Sequence, residues 1–141
     1  MRILVPVDGT LPSHRAVKHA VSLAAGCFDS HVILLNVQNR TTLGLSEIGA
    51  EEPPDELRQA QLVSERVFHT DVATCREAGV SCETTAEVGP VAETIARVAR
   101  ELKADQIVMG TRGLNSLSGL LMGSVTTRTV HLADVPVTLI K

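Results

Sequence analysis

Five short aliphatic runs, separated by segments of helical periodicity, constrain this chain more than any other feature. They are Arg2–Val7 (RILVPV), His31–Val37 (HVILLNV), Val80–Val88, Gln106–Met109 (QIVM) and Val135–Ile140 (VPVTLI). Continuous apolar runs of this length, bounded by Gly, Asp and Pro, read as strands buried on both faces; Val80–Val88 alternates more and reads as a less covered strand. Between the runs, Ala16, Val17, Ala20, Val21 and Ala24 recur at helical spacing, as do Val91, Ile95, Val98 and Leu102. The order β-α-β-α-β-α-β-α-β implies an α/β fold: an open, mostly parallel sheet with helices on both faces and right-handed crossovers. With no Trp, no Tyr and two Phe, the core must be built from Val, Leu, Ile and Ala. The 141 residues suit one domain spanning 1–141.

Helix signals fill the gaps. Pro12 and Ser13 offer start chemistry and Gly26 a stop. Asp55 and Glu56 favour the opening of a longer helix with Leu57, Val63, Val67 and Cys75 on its apolar side, closed by Gly79 as a C′ glycine. Pro90 suits a first helical position, and Ser124–Ala133 reads as the last helix. Gln38 to Asp55 is a long acidic loop carrying Glu47, Glu51 and Glu52. Pro136 pushes the last strand to the edge of the sheet.

Thirteen basic against sixteen acidic residues give a net charge of −3, a poor field for nucleic acid or an anionic membrane. The missing Trp and Tyr also remove stacking platforms for single strands. No apolar run approaches the roughly 18 residues of a membrane span. Cys27, Cys75 and Cys82 form no CxxC pair, and nothing at the start reads as a signal peptide. A reducing, cytoplasmic address is expected, with the cysteines serving as small buried or half-buried apolar residues. His14, His19, His31, His69 and His131 fall in unrelated segments and read as solvated or capping, without metal.

In open α/β sheets ligands bind beyond the carboxyl ends of the strands, where strand order reverses. The turns there lack GxGxxG, a P-loop lysine and a GxSxG elbow, and only Asp8 of a receiver-type acidic set is present. What remains is Gly110-Thr111-Arg112-Gly113, nine residues, then Gly123-Ser124. Glycines permit close backbone approach, and the amides of Gly123, Ser124 and Val125 at a helix N-terminus form a natural anion site. Each feature also has a plain structural use. Asp8 can close an Asx-turn onto Gly9-Thr10, and Ser124 can cap its helix. Gly110 and Gly113 can be turn residues, and Arg112 and Arg128 solvated surface groups.

The spacing G-x2-G-x9-G-[ST], together with Val5-Pro6-Val7-Asp8-Gly9, Ile107–Gly113, Leu121–Val125 and Val135-Pro136-Val137, resembles the universal stress protein family over nearly the whole chain. The resemblance implies a Rossmann-like, five-stranded parallel sheet in order 3-2-1-4-5, which sets Asp8 beside Gly110. It also implies a site for ATP, with or without Mg²⁺. Carried over by position, the backbone at Val7 and Val37 would line the adenine, with Asp8 and Gly110 near the ribose. Gly113, Gly123, Ser124 and Val125 would hold phosphates, and Pro6, Met109 and Arg112 complete the set. A carboxylate at Asp8 accepts from ribose hydroxyls but repels phosphate, which agrees with that placement. The resemblance further implies a homodimer through Val135–Lys141 and a nucleotide-dependent regulatory role toward a protein partner. No general base for the γ-phosphate stands out, so the expectation is a binding protein, at most a slow hydrolase. The alternative is a dimeric interaction protein of the same fold that ignores nucleotide.

Overall fold

The computed structural model describes residues 1–39, 55–112 and 122–141; the acidic stretch with Glu47, Glu51 and Glu52, and Gly113, lie outside them. The elements are β1 (Arg2–Pro6), α1 (Leu11–Ala25), β2 (His31–Gln38), α2 (Asp55–Glu77), β3 (Ser81–Val88), α3 (Val91–Glu101), β4 (Gln106–Gly110), α4 (Ser124–Leu132) and β5 (Val137–Ile140). They form one five-stranded sheet in the order β3-β2-β1-β4-β5, every pair parallel. This is the expected α/β architecture with the expected strand order.

Because strand side chains alternate, each aliphatic run supplies two cores. Ile3, Val5, Val32, Leu34 and Val108 pack with Val17, Ala20 and Val21 of α1 and with Phe68 and Cys75 of α2. Leu4, Ile33, Leu35, Ile107 and Met109 pack on the other face with Ile95, Val98 and Ala99 of α3. The outer strand β3 exposes Ser81, Glu83 and Thr84, which is why its sequence alternates.

Several local expectations are corrected. Helix α1 opens at Leu11, one residue before Pro12, because Thr10 is the N-cap and its Oγ1 accepts from Ser13 N at 3.4 Å. Pro90 is likewise the N-cap of α3, its extended ψ of 122° keeping it outside the helix. Strand β5 begins at Val137, although the Pro136 carbonyl already accepts from Ile107 N at 2.9 Å. The buried stripe of α2 runs through Ala60, Ser64, Phe68, Asp71 and Cys75, while Val63, expected inside, is exposed. The C′ glycine does end α2: Gly79 has φ +66°, and Val80 N donates to Cys75 O at 3.0 Å.

Candidate functional site

Strand β1 lies between β2 and β4, so the order of connection reverses between β1 and β4, and their carboxyl ends splay into a crevice. A cavity of about 280 Å³ occupies it, near the lower end of the roughly 300–1,000 Å³ usual for small-molecule sites. Pro6, Val7 and Asp8 reach it from the end of β1, and Val37 from β2. Met109, Gly110 and Arg112 reach it from β4, and Gly123, Ser124 and Val125 from the start of α4. Ten of the eleven residues singled out in the sequence therefore line one space; the eleventh, Gly113, is outside the described residues. Sequence reasoning missed the rest of the wall. Val63 and Val67 of α2 and Val91 and Ile95 of α3 add apolar surface, and Ser13, Asn36 and Gln38 add polar groups.

Asp8 uses its side chain in the turn: Oδ1 accepts from Thr10 N at 3.0 Å and from Thr10 Oγ1 at 2.6 Å. That Asx-turn needs Gly9 at φ +79°. Asp8 thus lines the crevice while its bonds to Thr10 anchor the cap of α1. Gly110 has a packing reason to be glycine, since a Cβ there would stand 2.9 Å from both the carbonyl carbon and Cβ of Pro12. The α1 turn thus lies directly against β4.

The mouth of α4 differs from the expectation in two ways. Gly123, not Ser124, is the N-cap, and as glycine it contributes no side-chain capping bond. The Gly123 amide is engaged with the Thr111 carbonyl at 2.8 Å and is not an outward donor. The first helical bond runs from Thr127 N to Gly123 O at 3.0 Å. The donors left at the mouth are therefore the N–H groups of Ser124, Val125 and Thr126, which a first helical turn leaves unpaired within the helix. Thr126 Oγ1 donates to the Gly110 carbonyl at 3.1 Å and ties this mouth to β4. Arg112 is exposed on the rim. Arg128 is bound to Glu93 of α3, an exposed ion pair that holds the Glu93 carboxyl below the usual carboxylate range.

The Val7 backbone, expected against adenine, is engaged on both sides. Its N–H donates to Leu35 O at 2.8 Å, and its carbonyl accepts from Asn36 Nδ2 at 2.6 Å. Asn36 Oδ1 in turn accepts from Ser64 Oγ at 2.8 Å and from Gln38 Nε2 at 2.5 Å. Asn36 and Gln38 continue the α2-facing row of β2, so this buried polar network forms the floor of the cavity on that side.

Two further expectations fail. His14 is neither solvated nor capping, because its Nδ1 lies 2.7 Å from Oδ1 of Asp71, a carboxylate buried in α2. Burial pushes the Asp71 carboxyl up, and its bond to His14 only partly offsets this. Cys27 is exposed, whereas Cys75 is buried and its thiol is pushed up to about 12 by burial and by the neighbouring Cys82. Among the described residues, no group of three or more His, Cys, Asp and Glu could hold a metal ion, and no helix is long and apolar enough to cross a membrane.

The model of the universal stress protein family matches residues 1–141. A universal stress protein of Methanocaldococcus jannaschii is 33% identical over 141 residues, covering 99% of this chain and 81% of the relative. A universal stress protein of Archaeoglobus fulgidus, solved in complex with dAMP, superposes with a TM-score of 0.68 at 22% identity, covering 100% of this chain and 98% of the other. A universal stress protein family member of Arabidopsis thaliana, solved with AMP bound, gives a TM-score of 0.68 at 24% identity, covering 100% and 91%. The glycine spacing, the strand order and these matches converge: the chain belongs to the universal stress protein family.

Proposed function

We propose that the crevice between β1 and β4 binds an adenine nucleotide, ATP among them, and that the protein acts as a nucleotide-dependent regulatory module. One observation carries this reading: a single apolar-walled cavity joins the Asp8 turn to the N-terminus of α4 at the point where strand order reverses. Val37, Met109, Val63 and Val67 give a nucleobase apolar surface, Asp8 offers an acceptor to ribose hydroxyls, and the α4 mouth offers amides to phosphate. Charge-assisted hydrogen bonds contribute about 1.5–3 kcal/mol each, so two or three such amides suffice for an appreciable phosphate affinity. Relatives of the same fold solved with AMP and dAMP support the choice of ligand.

Asp8 is the one carboxylate among the described cavity residues, and Thr10 already holds its Oδ1. A Mg²⁺ ion arriving with ATP would therefore be held chiefly by phosphate oxygens and water. None of the described lining residues is a histidine, lysine or glutamate placed to act as a base, which favours a binding role over efficient hydrolysis. The same reading takes residues 1–141 as one domain, working in the cytoplasm as a homodimer.

Calorimetric titration with ATP, ADP and AMP tests it, alongside chromatography of ligand released from freshly denatured protein. Saturable one-site binding is expected. Gly123 has φ −74° and ψ 158°, a conformation open to any residue. Gly123→Val should therefore keep α4 folded while blocking approach of a phosphate, weakening binding by roughly tenfold or more, the equivalent of one lost hydrogen bond. Wild-type-like titration of the variant overturns the phosphate assignment. Absence of any nucleotide binding favours the dimeric interaction protein instead.

A further inference from the structure

We propose that Gln38 reads the nucleobase, its Oε1 accepting a hydrogen bond from the exocyclic 6-amino group of adenine; this rests on the adenine-nucleotide reading above and deepens it. The inference follows from a chain of fixed hydrogen bonds. The Val7 carbonyl can only accept, so the Asn36 carboxamide must turn its Nδ2 toward it, at 2.6 Å. Asn36 Oδ1 then faces the other way, where it receives Ser64 Oγ at 2.8 Å and Gln38 Nε2 at 2.5 Å. An oxygen there needs donors, so Gln38 must present its nitrogen to Asn36, and its Oε1 is left on the opposite side of the carboxamide.

Gln38 is only 7% exposed and Asn36 only 3%, so neither amide is free to tumble in solvent. Among the described residues no donor reaches Gln38 Oε1, and it is not one of the sealed polar atoms that lack a partner. The surface open to Gln38 is the cavity that it lines with Val37, Val63 and Val67. A pre-oriented acceptor in an apolar setting selects a ligand that brings a donor, because an acceptor placed opposite it leaves two lone pairs desolvated and unpaired. Adenine offers a 6-amino donor. Hypoxanthine and guanine offer a 6-oxo acceptor at the same place, and unsubstituted purine offers neither.

The test is a titration series with AMP, the monophosphate of purine riboside, and IMP. Wild-type protein should bind them in that order, with AMP at least roughly tenfold tighter than IMP. Gln38→Met, similar in volume but without the acceptor, should bring AMP down toward the purine riboside analogue and abolish the preference. Asn36→Ala removes the group that fixes the carboxamide; Gln38 can then turn either atom to the base, and the AMP-to-IMP ratio should fall toward one while both ligands still bind. Equal binding of AMP and IMP by wild-type protein overturns the assignment without need of any variant. So does a wild-type ratio retained in Gln38→Met. If neither AMP nor ATP binds the wild-type protein, the adenine-nucleotide reading fails and this assignment falls with it.

Discussion

Asp71 shows how one residue can carry a pH dependence that the rest of the chain conceals. Its side chain is 2% exposed on α2, with His14 of α1 as its partner at 2.7 Å, and its Oδ2 is sealed without a hydrogen bond from any described residue. Burial outweighs the help of His14 and raises the carboxyl from the ordinary value of 3.8. A carboxyl raised on folding binds its proton more tightly in the native state than in the unfolded one. Its contribution to stability is therefore fully present below the unfolded pKa and is lost as pH rises through the higher folded value. Most surface carboxylates slope the other way, so the effect must be isolated as a difference. Asp71→Asn keeps a carbonyl for His14 and removes the buried charge. The stability of the variant relative to wild type should climb in urea denaturation as pH rises above the ordinary value of 3.8, the sign that linkage requires. A difference that stays flat, or falls, would remove the claim that Asp71 is held up by burial.

At the scale of elements, the sheet was legible because its central strands are covered on both faces and write themselves as unbroken aliphatic runs, HVILLNV above all. Helix α2 was legible as a helix but not in its rotation. Its buried stripe includes Ser64 and Asp71, which a hydrophobic pattern assigns to solvent, and only Asn36 and His14, 28 and 57 positions away, explain why they are inside. The site divides in the same way. Asp8, Gly110, Gly123 and Ser124 sit at strand ends and helix starts, where local sequence marks them. Val63, Val67, Val91 and Ile95 come from helix faces, and Gln38 acquires its role through a network that no local motif records. Gly110 also shows that a motif glycine can answer to packing between elements. An added Cβ would press on the carbonyl carbon and Cβ of Pro12 at 2.9 Å, and backbone cannot swing aside as a flexible side chain does. Gly110→Ala should cost about 1–3 kcal/mol of stability through separation of α1 from β4. Denaturation of ligand-free protein measures it; an unchanged midpoint would return Gly110 to a ligand role alone.

For the whole molecule, the two edges of the sheet are not equivalent. The β3 edge is guarded: Glu83 is exposed there, forms an ion pair with Arg2 at 3.4 Å and lies 3.5 Å from His31 Nε2, and Ser81 is exposed as well. The opposite edge, β5, offers Val137, Thr138, Leu139 and Ile140, all half-buried and none charged, before Lys141. An uncharged edge strand presents unpaired N–H and C=O groups to any matching strand, and charge is the usual guard against such pairing. A second copy of the chain would supply a matching strand in the form of its own β5, related by a twofold axis that pairs each edge with itself. This supports dimerisation through β5 rather than β3. Sedimentation of the wild-type protein at micromolar concentration should therefore give twice the 15.0 kDa chain mass. Thr138→Lys places a charge mid-strand on each copy without touching the crevice, so it should shift sedimentation toward a single chain while the far-ultraviolet dichroism stays unchanged. The corresponding change on the guarded edge, Thr84→Lys, should leave the dimer intact. Dissociation by the β3 variant with persistence in the β5 variant would reverse the assignment of the edges.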